Sequence, residues 1–196
     1  AVSFYGLPAT VGNLLFFDGL TSAEGVELWR SDGTANGTFL LKDIGTGQDA
    51  FPEQLTVLNG VLYFVARQES FNDKELWRTD GTTAGTLMVK NIHPQMSAGT
   101  YIYDLIASYG KLYFSADSPY DGTEPWISDG TEQGTVVLKN IYTNTADALS
   151  GKILNTGSEA YFAADDGING IELWKTNGTA AETVMVKDIA KFSGNY

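Results

Sequence analysis

The chain has 196 residues, with 24 acidic and 12 basic side chains, a net charge of −12 and no cysteine. An acidic surface repels phosphate backbones and anionic bilayers, so we expect neither a nucleic-acid partner nor membrane insertion. No run approaches the roughly 18 apolar residues of a spanning helix, and without cysteine the chain forms no disulfide and no thiolate metal site.

One tryptophan-bearing segment occurs four times along the chain. It appears as ELWRSDGTANGT from Glu27, ELWRTDGTTAGT from Glu75, EPWISDGTEQGT from Glu124 and, in weakened form, ELWKTNGTAAET from Glu172. The tryptophans, separated by 48, 49 and 48 residues, are Trp29, Trp77, Trp126 and Trp174. Such a period is typical of a structural repeat, and it predicts a single domain of four units, at about 1–48, 49–96, 97–144 and 145–196.

Each unit has the pattern of four short strands, which is most regular in the second unit. The strands predicted there are Gln54–Leu58, Val61–Ala66, Glu75–Thr79 and Thr86–Ile92. Asn59 and Gly60 form the dipeptide that favours a type I′ hairpin turn, since both residues tolerate positive φ. No segment has apolar residues at helical spacing. The sequence therefore predicts a nearly all-β protein.

A phenylalanine marks the second strand of each unit. Phe16, Phe64, Phe114 and Phe162 precede their tryptophans by 13, 13, 12 and 12 residues. The third and fourth strands should form a hairpin in which Trp29 faces Leu40 and Glu27 faces Lys42. The same register predicts three further ion pairs, Glu75–Lys90, Glu124–Lys139 and Glu172–Lys187, which would fix the register more than they stabilise the fold.

Four-stranded units of this length are typical of β-propeller blades, which pack one after another around an axis. The units resemble the bacterial ELWxxDGT repeat family over essentially the whole chain, although the fourth unit departs at Asn177 and Glu182. The resemblance implies a propeller-like fold and an extracellular or cell-surface location. We expect a four-bladed propeller or, as the alternative, half of a larger ring completed by a second copy, because unpaired edges favour strand addition.

The DGT turns have a structural and a functional interpretation. An aspartate before glycine accepts hydrogen bonds from backbone amides two residues on and holds the turn, which is the role we predict for Asp32, Asp80 and Asp129. The alternative is that these carboxylates present a repeated site to a metal or a sugar.

The loops between the second and third strands contain acidic residues next to glycine, as in DSPYDGTE from Asp117 and DDGINGIE from Asp165. Carboxylate and carbonyl oxygens are the ligands that calcium prefers. The candidate calcium ligands are Asp117, Asp121, Asp165 and Asp166, and the alternative is a set of solvated turns.

Tyrosines fall into two groups. Tyr63, Tyr113 and Tyr161 recur at one position of the repeat, which predicts core packing. The irregular tyrosines include Tyr101, Tyr103 and Tyr120; exposed rings of this kind stack on sugar faces, so Tyr120 with Asp121 is the candidate ligand-binding pair.

The sequence gives little support for catalysis. His93 is the sole histidine, and no GxSxG motif accompanies it. We therefore expect a non-enzymatic structural or adhesive propeller module of a secreted or surface bacterial protein, with itself or another surface macromolecule as partner. The alternative function is carbohydrate binding at repeated sites, with calcium as an assisting ion.

Overall fold

The computed structural model describes residues 6–68, 73–92, 100–118, 122–143, 146–149 and 151–189, so that His93, Tyr120 and Asp121 lie outside the described residues. The described residues form four antiparallel sheets of four strands each. Sheet 1 contains β1 (Ala9–Val11), β2 (Leu14–Thr21), β3 (Gly25–Ser31) and β4 (Phe39–Leu40). Sheet 2 contains β5 (Glu53–Leu58), β6 (Val61–Arg67), β7 (Lys74–Thr79) and β8 (Leu87–Lys90). Sheet 3 contains β9 (Ile102–Ser108), β10 (Lys111–Ser118), β11 (Gly122–Ser128) and β12 (Val136–Val137). Sheet 4 contains β13 (Leu154–Asn155), β14 (Ala160–Asp165), β15 (Ile171–Thr176) and β16 (Val184–Lys187).

These sheets confirm the predicted all-β architecture of four four-stranded blades. In sheet 2 the predicted and observed strand ends differ by two residues or fewer. Asn59 has a φ of 50° and Gly60 a φ of 79°, the positive values that a type I′ turn requires at both central residues. No described segment forms a helix of the length and apolarity needed to cross a bilayer.

Consecutive sheets pack face to face through three apolar clusters. The first joins sheets 1 and 2, the second joins sheets 2 and 3, and the third joins sheets 3 and 4. Strand β5 contacts both β1 and β9, so the first strands of sheets 1, 2 and 3 lie side by side. Within the described ranges no apolar cluster joins sheet 4 to sheet 1. The described core therefore lies in three junctions between sheets, whereas a closed four-bladed ring would have four.

In the hairpin of the third and fourth strands, each tryptophan has the predicted partner, but the register shifts at the residue before the tryptophan in sheets 2 and 4. Trp29 pairs with Leu40. In sheet 2 the shift is a bulge that places Lys90 opposite Leu76 instead of Glu75. A bulge adds one residue to one strand and turns the following side chains.

The predicted Glu–Lys ion pairs are wrong. In sheets 2 and 4 a bulge moves the lysine away from the predicted glutamate, and in sheets 1 and 3 the lysine bonds a carbonyl oxygen of the next sheet. In sheet 1, Lys42 Nζ donates to the carbonyl oxygen of Thr86 in the next sheet at 3.1 Å. Glu27 instead accepts hydrogen bonds from the backbone N–H groups of Ile44 and Gly45. The pairs that this finding corrects are Glu27–Lys42, Glu75–Lys90, Glu124–Lys139 and Glu172–Lys187.

The phenylalanine predicted for the first unit is also wrong by one residue. Phe17, and not Phe16, pairs with Trp29, as Phe64 pairs with Trp77 in sheet 2. The hairpin connection of the second unit is one residue longer, so counting back from the tryptophan selects the wrong residue. Phe16 consequently occupies the repeat position of Tyr63.

The DGT turns have the same hydrogen-bond network in all four units. Asp129 Oδ1 accepts bonds from the backbone N–H and the hydroxyl of Thr131, at 2.9 and 2.6 Å. Thr131 Oγ1 in turn accepts a bond from the N–H of Gly134. In the fourth unit Asn177 makes both of the corresponding bonds to Thr179. This geometry supports the structural interpretation of Asp32, Asp80 and Asp129.

We expect Asp129→Ala to lower the free energy of unfolding by about 1 kcal/mol, because the turn loses two hydrogen bonds near the surface. Asp129→Asn is the matched control, and it should cost less than half as much because Asn177 holds the same turn. Denaturant titration of the two variants measures both values. Equal losses would show that the carboxylate charge, and not the hydrogen-bond geometry, supports the turn.

Candidate functional site

The faces of the sheets are the first candidate site. We call the face that each sheet presents to the next sheet along the chain its forward face, and the opposite face its backward face. Each forward face of sheets 1 to 3 packs on the backward face of the following sheet. Trp77 and Phe64, which stack with ring centroids 6.5 Å apart, belong to the backward face of sheet 2. Their contacts with sheet 1 include Phe16 and Leu28.

A lysine from the forward face of sheets 1, 2 and 3 reaches across the junction, where Lys90 of sheet 2 donates to the carbonyl oxygen of Glu132 at 3.4 Å. Lys42 Nζ bonds the Thr86 carbonyl and lies 5.8 Å from the centre of the Trp77 ring. Lys139 does the same to Thr183 and Trp174, with a donor–acceptor distance of 2.7 Å and a ring distance of 5.7 Å. The ammonium is therefore held by a carbonyl oxygen and by the negative face of the indole.

On the forward faces of sheets 2 and 3 a tyrosine ring packs on the DGT glycine of the next sheet, and on sheet 1 Leu14 and Phe16 take this place. A Cβ added to Gly130 would collide with Tyr63, and one added to Gly178 would collide with Tyr113. Both glycines have φ near +90°, a conformation that L side chains rarely adopt. Tyr63 and Tyr113 are buried, which fits the core role predicted for them.

The four repeat glutamates are buried and hold the chain segment that leaves each sheet. Glu27 bonds the N–H groups of Ile44 at 3.0 Å and Gly45 at 2.8 Å. The corresponding bonds in the other sheets join Glu75 to Ile92, Glu124 to Ile141 and Glu172 to Ile189. Burial raises the pKa of Glu27 from 4.5 to about 7, although the bonds from Gly45 and Ile44 lower it.

The Glu27 carboxyl should titrate with a midpoint near its folded pKa of about 7. Because this pKa lies above the unfolded value of 4.5, the folded state binds the proton more tightly. The stability that the proton contributes is fully present below pH 4.5 and is lost as the pH rises through about 7. Carboxyl ¹³C chemical shifts measure the midpoint, with Glu159 as control because its hydrogen bond from Lys175 lowers its pKa. A Glu27 midpoint at or below 4.5 would contradict the effect of burial.

Two faces of the stack differ from the faces inside it. On the forward face of sheet 4, Leu173 is 40% exposed, Val186 is 46% exposed and Ile189 is 67% exposed. On the backward face of sheet 1, Trp29 is partly exposed, whereas the other three tryptophans are buried. The stack therefore presents apolar surface at both of its outer faces.

A cleft of about 530 Å³ beside β5, β9 and β10 is the second candidate site. Bulges in the β5–β6 and β9–β10 pairings accompany positive φ at Gln54 and Asp104. The lining residues are Gln54, Tyr103, Asp104, Ser115, Asp117, Thr123, Asp147, Leu149 and Gly151. They include three aspartates and neither lysine nor arginine, so the cleft disfavours anionic ligands.

Polar groups in this cleft are bonded to one another. Thr123 Oγ1 contacts Asp117 Oδ1 and lies 2.7 Å from Asp147 Oδ1. Tyr103 is exposed and stacks on Tyr101 with ring centroids 6.0 Å apart. Partial burial, with the nearby Asp117 carboxylate, raises the pKa of Tyr103 further above its ordinary value of 10, which favours the protonated hydroxyl, a hydrogen-bond donor.

The predicted calcium ligands are not gathered into one described cluster. Asp117 lines the cleft, whereas Asp165 and Asp166 accept bonds from backbone N–H groups of their own turn, including those of Gly167 and Ile168. In the described part of the chain, no group of three or more His, Asp or Glu side chains has the geometry to hold a metal ion. A calcium site that includes Asp121 stays a prediction.

No protein-family model matches the chain, and no curated protein matches its sequence. Solved structures do resemble it. Puromycin hydrolase matches with a TM-score of 0.56 and 16% identity over 91% of this chain. Prolyl oligopeptidase B from Galerina marginata matches with a TM-score of 0.53 and 10% identity over 96% of this chain. TolB from Acinetobacter baumannii matches with a TM-score of 0.50 and 9% identity over 88% of this chain. The chain spans 28%, 27% and 39% of these three structures. At such identities the likeness concerns the fold alone, and it shows that this chain has a β-propeller arrangement.

Proposed function

We propose that this chain is a non-enzymatic structural or adhesive β-propeller module that works through protein–protein contacts. The observation that supports the proposal is the apolar surface on the forward face of sheet 4 and the backward face of sheet 1. The resemblance to the ELWxxDGT repeat family adds the second half of the proposal, a secreted or cell-surface location.

Exposed apolar side chains are informative here because the same repeat positions are buried elsewhere in the chain. Ile189 is 67% exposed, but its equivalents Ile44 and Ile92 are 2% and 6% exposed. Scattered apolar residues on a surface need no explanation, whereas a contiguous apolar face marks an interaction surface. Covering it removes apolar area from water at roughly 25 cal/mol per Å².

Display of the chain on a bacterial cell tests the proposed function. We expect displaying cells to adhere to one another or to protein-coated surfaces, and Val186→Glu to reduce adhesion because it places a charge on the forward face of sheet 4. Val136→Glu is the matched control, since Val136 is 45% exposed and lies outside that face. Displaying cells that adhere no better than cells without the chain would overturn the proposal.

Carbohydrate binding is a second candidate function, and the cleft beside Tyr103 favours it. An exposed ring next to convergent carboxylate and hydroxyl groups has the chemistry to stack on a sugar face and bind its hydroxyls. A glycan array run with and without calcium tests this function. Saturable binding of a neutral sugar that Tyr103→Ala abolishes would support it, and binding unchanged by that substitution would exclude this cleft.

A further inference from the structure

No sheet of the described chain covers the forward face of sheet 4 or the backward face of sheet 1. These two faces are the two halves of a junction that already occurs three times inside the chain. On the forward face of sheet 4, Leu173 is 40% exposed, while its equivalents Leu28 and Leu76 are fully buried. Val186 is 46% exposed, while Leu41 and Val89 are 1% and 6% exposed. What distinguishes sheet 4 is the lack of a covering sheet among the described residues, since its side chains are of the same kind.

The backward face of sheet 1 has the complementary difference. Gly33 has a φ of 90°, like Gly81 and Gly130, but an added Cβ at Gly33 would meet nothing within 4 Å. At Gly81 the added Cβ would meet Leu14 and Phe16 from sheet 1. Gly33 thus has the backbone shape that accepts an aromatic ring, with no ring of the described chain upon it.

The polar groups of the junction match as well. Lys187 of sheet 4 is exposed and is the repeat equivalent of Lys42 and Lys139, which bond a threonine carbonyl in the next sheet. Thr38 of sheet 1 is the equivalent of those acceptor threonines, and it is only partly buried. Tyr161, the equivalent of Tyr63, is also only partly buried.

We propose that the forward face of sheet 4 binds the backward face of sheet 1 of a second copy of this chain, head to tail. In this junction Tyr161 packs on Gly33 of the second copy, and Lys187 bonds the Thr38 carbonyl beside Trp29. Leu173, Val186 and Ile189 are covered as their equivalents are inside the chain. The proposal rests on the proposed function and names its partner.

A head-to-tail contact uses two different faces, so it forms a ring where the rotation closes and a longer chain where it does not. The net charge of −12 on each copy opposes association. Salt screens this repulsion while leaving the apolar contact intact. Association should therefore strengthen as the salt concentration rises, which is the opposite of what an assembly held by ion pairs would show.

Sedimentation equilibrium from about 1 µM to about 1 mM protein tests the proposal. We expect a concentration-dependent rise in mass for the wild type and for Val136→Glu. Val186→Glu should weaken association by at least about tenfold, because it places a charge inside the junction. Gly33→Asn should weaken it to a similar degree, because asparagine tolerates positive φ and its side chain fills the space that Tyr161 needs.

Mixing the two defective variants distinguishes the head-to-tail contact from a symmetric one. The intact backward face of Val186→Glu should bind the intact forward face of Gly33→Asn, which gives a mixed dimer that grows no further. Leu15 lies on the backward face of sheet 1, because its repeat equivalent Leu62 belongs to the cluster that joins sheet 2 to sheet 1. Leu15→Glu replaces Gly33→Asn if the latter lowers the thermal unfolding midpoint.

A wild type that stays monomeric across the whole range would overturn the proposal, and so would defective variants that do not complement each other. If displaying cells nevertheless adhere to other surfaces, the proposed adhesive function survives with a partner other than a second copy. If neither assembly nor adhesion occurs, both proposals are wrong.

Discussion

Trp77→Ala is expected to lower the free energy of unfolding by about 3 to 5 kcal/mol, the usual cost of deleting a buried tryptophan. Trp77 is 3% exposed, stacks on Phe64 and donates its indole N–H to the carbonyl oxygen of Ala66. It also packs against sheet 1 and lies beneath Lys42. The substitution therefore opens a cavity and weakens one of the three junctions. Urea titration followed by far-UV circular dichroism measures the loss.

Trp29→Ala is the matched control for this prediction. Trp29 occupies the same repeat position, but it is partly exposed. In dilute solution, where we expect a monomer, Trp29→Ala should therefore lower the free energy of unfolding by clearly less than Trp77→Ala. The difference between the two variants should shrink at concentrations that favour assembly. Equal costs in dilute solution would show that Trp29 is covered in the monomer, which would weaken the case for an available backward face.

Gly130→Ala should lower the free energy of unfolding by about 2 to 5 kcal/mol. About 1 to 2 kcal/mol of this comes from placing an L side chain at a positive φ, and the remainder comes from the overlap of the new methyl group with Tyr63. The ring has little freedom to move because Tyr63 is buried. Chemical denaturation of the purified variant provides the measurement.

Gly33→Ala separates these two contributions. Its φ of 90° is nearly that of Gly130, but its new methyl group would meet nothing within 4 Å. We expect only the backbone cost of about 1 to 2 kcal/mol. If Gly33→Ala lowered the free energy of unfolding as much as Gly130→Ala, the positive φ, and not the packed Tyr63 ring, would explain the requirement for glycine at position 130.

The sequence pattern predicts the sheets well because each strand depends on local chemistry. Alternating apolar residues and the Asn59–Gly60 dipeptide specify strands and turns without reference to the rest of the chain. The predicted Glu75–Lys90 pair is wrong because one extra residue in a strand turns the later side chains, and periodicity does not reveal such a residue. Phe16 was placed wrongly for a similar reason, since loop lengths differ between units.

The cleft was harder to predict because its residues come from different parts of the chain. Tyr103 lies near Asp147 and Gln54 only after sheets 2 and 3 have packed and their bulges have formed. The exposure of the forward face of sheet 4 was also beyond sequence analysis, because Leu173 and Leu76 both lie in an ELW segment. Whether such a residue is buried depends on the neighbouring sheet.

A lysine, an aromatic ring and the DGT glycine occupy equivalent repeat positions at the three junctions of the described chain. Duplication of a gene segment encoding one quarter would create a new boundary whose donors, acceptors and ring contacts already match. Deletion of a quarter would rejoin matched surfaces in the same way. Proteins with this architecture can therefore acquire or lose whole blades in single genetic events, without first evolving a new set of contacts.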